Sequence, residues 1–379
     1  MSVETPSPAI RRLHSVQAMR GAAALLVVLY HTAAHWRAIS ATDTRAGAWL
    51  WDQGFAGVDM FFVISGFVMV YTAGANPGGV GEAVRFLWRR VGRIYPLWWV
   101  FCALLGAIFL LIYGQPAQPD MAQGADAWRF FAGSLLLWPQ GQAPVLNVGW
   151  TLVFEMGFYT VFAGLLLLPS RLRPWCLMVW AAAVLLAVAL LPYGAVPGDP
   201  LRLLVHPLVL EFLLGAGVAY ALSRQGWSQS WGRPLAAFGV AAFVASMAVG
   251  LDVDSPAFEV WRVATYGLAS ALLLAGLVRW EAEGLGVPRW AKALGDQSYS
   301  LYLSHPIVLL LIRAVADEAV VWPGLGWLST PSPWQMAVVM GGSLVACVVT
   351  GAGVHAALER PLLRAVRRPM LQGAPARAS

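Results

Sequence analysis

Long apolar runs separated by short polar segments dominate the chain. A helix that crosses the hydrocarbon core of a membrane needs about 20 mostly apolar residues. The pattern therefore predicts an all-α polytopic membrane protein with about ten transmembrane helices. The predicted spans are residues 17–36, 54–74, 94–114, 148–168, 175–192, 202–222, 235–251, 259–279, 298–316 and 334–357.

The remaining segments set the limits of this domain. Residues 128–138, WRFFAGSLLLW, are too short to span and stop before Pro139, which predicts an interfacial or re-entrant piece. Polar, Pro- and Ala-rich ends predict disordered tails at residues 1–12 and 366–379, the second of them basic. Because the loops are short and no repeat is present, residues 13–365 are expected to form one domain without a fused soluble partner.

Composition supports a membrane protein over a soluble one. The chain is 59% hydrophobic and 12% charged, with a mean hydropathy of +0.65. A soluble domain has about 25% charged residues. The three cysteines lie inside apolar runs and predict neither a disulfide framework nor a metal pair. The basic residues behind the formal charge of +6 lie in short loops, where they indicate the topology of a membrane protein. No nucleic-acid partner is therefore expected.

The basic residues also predict an orientation. With the N-terminus in the cytoplasm, 19 of the 25 Lys and Arg residues fall in inner loops and tails, which favours both termini inside. A signal peptide is the alternative for the N-terminus, but the apolar run continues past His31. The six basic residues outside the inner segments are Arg37, Arg45, Arg129, Arg202, Arg262 and Arg313.

Five ionisable residues lie inside separate predicted spans. Such groups are costly in lipid and usually face a bundle interior or a cavity. If all five face inward, they line one polar cavity, which is a hypothesis because a sequence shows no contacts between helices. The five are His31, Asp59, Glu155, Glu211 and His305.

Helical phase relates Arg20 to His31. Eleven residues make about three turns, so both side chains lie on one stripe of the first helix, roughly 16 Å apart along its axis. An Arg at the membrane mouth suits a phosphate group, and a desolvated His suits a general base. A snorkelling Arg and a hydrogen-bonded structural His explain the same spacing. His35 completes a possible i, i+4 metal pair, but no HExxH motif or third ligand is present, so no metal is expected.

A basic cluster precedes the third predicted span. The segment FLWRRVGRIYP, read as a loop, carries Arg89, Arg90 and Arg93, with Arg85 before it. The positive-inside rule explains its position, and a phosphate clamp is the functional interpretation. No Walker loop is present, and Ser65 lacks the first Gly of a GxSxG elbow, so a serine acyl-enzyme is not supported.

Six stretches together resemble the acyltransferase 3 family of integral membrane acyltransferases. They occur in the order of the family, from about residue 13 to residue 363, and include its Arg-x10-His pattern at Arg20 and His31 and its RxxR motif at Arg90 and Arg93. The chain departs from the family at Gln17, where Asp is common. The stretches are SVQAMRGAAALLVVLYH, GFAGVDMFFVISGFVM, FLWRRVGRIYPLWW, NVGWTLVFEMGFY, LGDQSYSLYLSHP and ALERPL.

The resemblance implies transfer of an acyl group, often acetyl, from cytoplasmic acyl-CoA to a hydroxyl of a carbohydrate or glycan acceptor. It also implies a bacterial cytoplasmic membrane as the location. On this basis the phosphates of acyl-CoA are expected at Arg20, Arg90 and Arg93, and His31 is expected to act as base or acyl carrier. Glu155 or Asp59 is expected to orient His31, as a carboxylate does in a triad. Further cavity contacts are expected from Glu211, Tyr299, Tyr302 and His305.

Other interpretations predict different behaviour. A small secondary metabolite such as a macrolide is an alternative acceptor. A transporter without transferase chemistry also suits ten helices with charges near the midplane, although no related halves or paired broken helices are evident. A structural or signalling role leaves the intramembrane charges unexplained. The sequence gives no prediction of an oligomeric state.

Overall fold

The computed structural model describes residues 12–39, 51–73, 78–191, 197–223, 231–255, 257–319, 322 and 324–372, and within these ranges all regular structure is helical. The first six helices are α1 (His14–Ile39), α2 (Ala56–Ala73), α3 (Val80–Tyr113), α4 (Ala125–Leu135), α5 (Trp150–Leu165) and α6 (Arg173–Leu190). They are followed by α7 (Pro200–Leu204), α8 (Val209–Ser223), α9 (Gly232–Val249), α10 (Phe258–Ala282) and α11 (Arg289–Asp296). The last are α12 (Ser298–Ala319), α13 (Pro333–Val354) and α14 (Arg360–Gln372), and a π-helical turn at His355–Glu359 joins α13 to α14.

The prediction of an all-α polytopic membrane protein is confirmed. Each of the ten predicted spans overlaps a helix, and eight helical stretches of the described chain are long and apolar enough to cross a membrane. Large apolar side chains on α6, such as Val179 and Leu190, are exposed, as expected for a surface whose solvent is lipid. The number of spans and the cytoplasmic location of both termini stay predictions.

Helix α1 occupies a central position. It packs against α2, α11, α12 and α13. Its approach to α11 is close because Gly295 has no side chain: a Cβ there would lie 2.0 Å from the main-chain oxygen of Gln17. The stripe that carries Arg20 and His31 is therefore enclosed by other helices.

The prediction of a loop at FLWRRVGRIYP is wrong, because this segment lies within α3. That helix begins at Val80, 14 residues before the predicted start of the third span at residue 94. Ala83, Phe86 and Ile94 are buried while Arg85 and Arg89 are exposed, so this part is an amphipathic helix that a search for apolar runs misses. The arginines consequently have fixed helical positions.

The predicted span 202–222 is interrupted. Helix α7 ends at Leu204 and α8 begins at Val209. Pro207 has no N–H and disfavours helical geometry at His206, which accounts for the break. The main-chain N–H of Leu208 donates to Nδ1 of His206 at 3.3 Å, so a side chain satisfies part of the exposed backbone.

At the C-terminus the helical structure extends further than predicted. Helix α14 includes residues 366–372, which the sequence pattern assigned to a disordered tail. The predicted tails at residues 1–11 and 373–379 lie outside the described residues. The boundaries of a single domain at 13–365 stay a prediction.

Helices α2 and α8 meet backbone to backbone through two glycines. A Cβ on Gly66 would lie 1.8 Å from the main-chain oxygen of Phe212, and a Cβ on Gly215 would lie 1.9 Å from that of Val63. Small residues allow such contacts between membrane helices. The pair fixes α2, which carries Asp59 and Ser65, against α8, which carries Glu211.

We expect Gly215→Ala to lower the thermal unfolding midpoint of the detergent-solubilised protein by several degrees, because overpacking costs about 1–3 kcal/mol. Gly217→Ala on the same helix is the matched control, since among the described residues the added Cβ meets no atom of another helix within 4 Å. Fluorescence-detected size-exclusion chromatography after heating measures both variants. Equal midpoints for the two variants would contradict the close contact.

Candidate active site

A cavity lies among α1, α2, α3, α5 and α12. All three arginines of the predicted phosphate clamp line it, together with one of the two predicted catalytic carboxylates. The polar lining residues are Arg20, Ser65, Arg90, Arg93, Thr151, Glu155, Tyr159, Ser298, Tyr299 and Tyr302.

Helical geometry brings Arg90 and Arg93 into this cavity. They are three residues apart on α3 and so lie on one face, whereas Arg89 is exposed and does not line the cavity. The guanidinium of Arg90 lies 5.2 Å from the ring centres of both Phe86 and Tyr159. Cation–π contacts of this kind hold a guanidinium in place while its N–H groups stay available.

Arg20 reaches the cavity from the first turns of α1. It interacts electrostatically with the carboxylates of Glu155 and Glu359 and with the like charge of Arg93. Its Nε–H is buried and has no hydrogen-bond partner among the described residues. These two carboxylates supply the acidic partners that Gln17 cannot provide in this chain. Three guanidinium groups around one cavity are suited to an anion with several phosphates.

Glu155 lies at the arginine end of the site. Its carboxylate accepts hydrogen bonds from Ser65 Oγ at 3.1 Å and from the hydroxyl of Tyr159. Tyr159 is four residues further along α5, so both side chains lie on the same face of that helix. Glu155 is thus held by hydroxyl groups, and the hydrogen bond expected between Glu155 and His31 is not formed among the described residues.

His31 is oriented by a main-chain carbonyl instead of a carboxylate. Its Nδ1 lies 3.0 Å from the oxygen of Val27. A carbonyl oxygen only accepts, so Nδ1 carries a proton and the lone pair of the neutral ring is on Nε2. The oxygen of Val27 therefore fixes the tautomer, a role that the sequence analysis assigned to Glu155 or Asp59. An imidazole with a free Nε2 lone pair can accept a proton from a hydroxyl.

His305 packs against His31 from another helix. The two imidazole ring centres are 5.0 Å apart. His305 is fully buried, and its Nδ1 donates to the oxygen of Leu301 at 3.2 Å. Its Nε2 is buried without a hydrogen-bond partner in the described part of the chain. The pair presents two imidazoles in the same tautomer, both anchored to their own helices.

Tyr302 stands between the cavity and the histidine pair. It lines the cavity, and its ring centre is 5.9 Å from that of His305. Its hydroxyl donates to the oxygen of Val148 at 2.9 Å and lies 2.8 Å from the hydroxyl of Thr151. The predicted cavity residue Tyr299 also lines the cavity, and its hydroxyl donates to the oxygen of Ile94 at 2.8 Å. Neither histidine lines the cavity itself.

The structure places Asp59 and Glu211 in a separate cluster, so a single cavity lined by all five ionisable residues is wrong. Both carboxylate oxygens of Asp59 accept from the guanidinium of Arg262 at 3.1 Å, and Glu259 accepts from the same group at 3.1 Å. Glu211 interacts electrostatically with Asp59, Glu259 and Arg262. Asp59 is thus paired with Arg262, and its expected contact with His31 is not formed within the described chain.

Sequence reasoning missed several polar residues near these groups. Arg262 was counted only as a basic residue outside the inner loops, although a lone Arg in an apolar span is itself a signal of a buried partner. Glu359 accepts from Ser300 Oγ at 2.5 Å and lies 2.7 Å from Nδ1 of His355. A π-helical turn contains Glu359, and another at Val263–Gly267 follows Arg262. Such turns occur frequently at functional sites.

The residues that could bind a metal do not converge in the part of the chain that the structure describes. Within it, no group of three or more His, Cys, Asp or Glu side chains is placed to hold an ion. The expectation that the reaction uses no metal stays a prediction.

Comparisons with known proteins match most of the chain. The sequence profile of the acyltransferase 3 family, described as an acyltransferase domain, matches residues 13–352. The exopolysaccharide production protein ExoZ of Rhizobium meliloti (strain 1021) is 33% identical over 329 residues, which cover 82% of this chain and 90% of ExoZ. The acyltransferase MdmB of Streptomyces mycarofaciens is 28% identical over 395 residues, covering 96% of this chain and 95% of MdmB. No solved structure gives a significant match.

Proposed function

The chain belongs to the acyltransferase 3 family, and from this premise we propose that it transfers an acyl group from cytoplasmic acyl-CoA to a hydroxyl group. The donor is acetyl-CoA in this proposal, and the acceptor is a carbohydrate or another glycan. The enzyme acts in the cytoplasmic membrane of a bacterium. The relative ExoZ is named an exopolysaccharide production protein, which supports the acceptor class.

One observation carries this proposal: three arginines line a cavity whose wall residue Tyr302 contacts His305, and His305 in turn packs against His31. Arg20, Arg90 and Arg93 bind the phosphates of acyl-CoA. The acyl-pantetheine arm extends from these arginines towards Tyr302 and His31. The helical stripe on α1 gives this path a length of roughly 16 Å.

The reaction proceeds at the imidazole end. Nε2 of His31 accepts the proton of the acceptor hydroxyl while its oxygen attacks the carbonyl carbon of the thioester. The carbon–sulfur bond breaks, and the CoA thiolate takes the proton from His31. If His31 instead carries the acyl group, its Nε2 attacks the thioester first and CoA leaves as the thiolate. The acceptor oxygen then attacks the acyl carbon, the bond to Nε2 breaks, and the proton of the acceptor hydroxyl passes to the thiolate. In both cases the products are the acyl ester and free CoA thiol.

Glu155 acts as a positioning residue in this proposal. It lies with Arg20 and Arg90 at the cavity and is held by Ser65 and Tyr159. Its negative charge offsets the repulsion among the three guanidinium groups before acyl-CoA binds. Glu155 therefore positions the arginines that bind acyl-CoA, and the carbonyl of Val27 orients the imidazole of His31.

We expect the double variant Arg90→Gln with Arg93→Gln to raise the apparent KM for acyl-CoA about tenfold or more, because each lost charge-assisted hydrogen bond costs about 1.5–3 kcal/mol. Initial rates in membranes at varied acyl-CoA concentration measure this. Arg89→Gln is the matched control, since it removes the same charge from an exposed position on the same helix. An unchanged KM for acyl-CoA, or a change confined to the acceptor, would rule out the phosphate clamp.

A further inference from the structure

A second, larger cavity lies among α2, α8, α10 and the start of α6. It shares no lining residue with the cavity of the acyl-transfer site. One part of its lining is polar, with Tyr71, Ser170, Arg173, Tyr220, Ser223, Arg279 and Glu281. The other part is apolar, with Leu13, Phe67, Val70, Ala219, Leu222, Val278 and Ala282.

Arg173 gives this cavity a cation with unused hydrogen-bonding capacity. Its side chain is only 2% exposed, and its Nε donates to the oxygen of Leu168 at 3.1 Å. Its Nη2 is buried and has no hydrogen-bond partner among the residues that the structure describes. A buried guanidinium N–H without an acceptor is costly, and an anion bound in the cavity would remove that cost.

The carboxylates near the cavity do not pair with Arg173 among the described residues. Glu283 pairs with Arg279, whose Nε lies 4.0 Å from its Oε1. The carboxylate of Glu281 is already engaged, because it accepts from the main-chain N–H groups of His14 at 2.9 Å and Ser15 at 2.7 Å. These two N–H groups begin α1, where a helix stabilises a negative charge.

We propose that this cavity binds an anionic phospholipid, with the phosphate at Arg173 and the acyl chains along the apolar wall. The polar residues lie where α6 begins and where α8 and α10 end, which is the cytoplasmic side in the predicted orientation. The phosphate belongs to a lipid and not to a free anion because the guanidinium and an extended apolar wall line the same space. In this proposal the lipid takes no part in acyl transfer.

The test measures how much phosphatidylglycerol the purified detergent-solubilised chain retains in native mass spectrometry. We expect wild type to retain it, and Arg173→Gln to bind it about tenfold more weakly, since one charge-assisted hydrogen-bonding group is lost. Arg171→Gln is the matched control, because it removes the same charge two residues away from an exposed side chain outside the cavity. Phosphatidylcholine and inorganic phosphate are the comparison ligands, and both should bind more weakly than phosphatidylglycerol.

A second variant that blocks the cavity tests the proposal independently if Arg173→Gln does not fold. Ala282 is exposed and lines the cavity, so Ala282→Trp should fill its mouth without disturbing the core. We expect this variant to lose phosphatidylglycerol as well. Equal retention in wild type and Ala282→Trp, or in wild type and a folded Arg173→Gln, would overturn the proposal. Binding of inorganic phosphate as tight as that of phosphatidylglycerol would overturn the lipid assignment.

Discussion

Replacing His31 by Ala should reduce acyl transfer by at least about a hundredfold while the protein still inserts and folds. A positioned general base contributes about 10²–10⁴ in rate, and the loss is larger if His31 also carries the acyl group. The side chain is partly buried, and among the described residues it hydrogen-bonds to the oxygen of Val27 on its own helix and to no other helix. Its removal therefore breaks no hydrogen bond between helices in the described part of the chain. Transfer of radiolabelled acyl groups in membranes with matched protein amounts measures the effect.

His35→Ala is the matched control for this variant. His35 lies one turn further along α1, and its Nδ1 donates to the oxygen of His31 at 2.9 Å, so its local environment is similar. The ring contact with His305 is made by His31. We expect His35→Ala to retain most of the activity. Full activity in His31→Ala would contradict the assignment of His31 as base or acyl carrier.

Arg262→Met should destabilise the protein by about 3–5 kcal/mol, because removing one partner of a buried ion pair leaves uncompensated charge. Arg262 is 3% exposed and holds the carboxylates of Asp59 and Glu259, with Glu211 close by. The variant leaves these acids without a cation. The yield of monodisperse protein and the thermal midpoint in detergent measure the loss.

An exposed ion pair supplies the control for this prediction. Arg313 lies 3.5 Å from Asp317 on α12, and both side chains are substantially exposed. Such pairs contribute about 0–1 kcal/mol, so Arg313→Met should change the midpoint little. Adding Asp59→Asn to Arg262→Met should restore part of the stability, because it removes one of the unpaired charges. A midpoint for Arg262→Met equal to that of Arg313→Met would show that the cluster is not a buried ion-pair network.

The sequence predicted the helices and the arginine end of the site because both follow from local pattern. Apolar runs of span length placed ten segments that each overlap a helix. Helical spacing placed Arg90 and Arg93 on one face once α3 was helical, and the structure brings both to the cavity with Arg20 and Glu155. The all-α class and the family were predicted and are confirmed, whereas the roles of the individual site residues stay predictions.

The parts that failed depend on contacts between helices. Asp59 was a candidate partner of His31, but the close approach of α2 to α8 and α10 gives it Arg262 instead. No spacing within α2 reveals that choice, because the partner lies 203 residues away along the chain. The carbonyl that orients His31 belongs to the main chain, so the residue types in the sequence could not indicate it. The break before α8 was readable from Pro207, but the surrounding apolar run concealed it.

Comparing the amount of free CoA released with the amount of labelled ester formed tests the proposed acyl transfer most directly. Membranes that contain the protein and its native acceptors are incubated with radiolabelled acetyl-CoA, and free CoA thiol is measured alongside label in base-labile esters. The proposed acyl transfer predicts equal amounts of thiol and ester, both at least about a hundredfold lower in membranes with His31→Ala. Acetyl-CoA that stays intact in wild-type membranes, or thiol release that is equal in wild type and His31→Ala, would contradict the claim and favour a membrane protein without this chemistry.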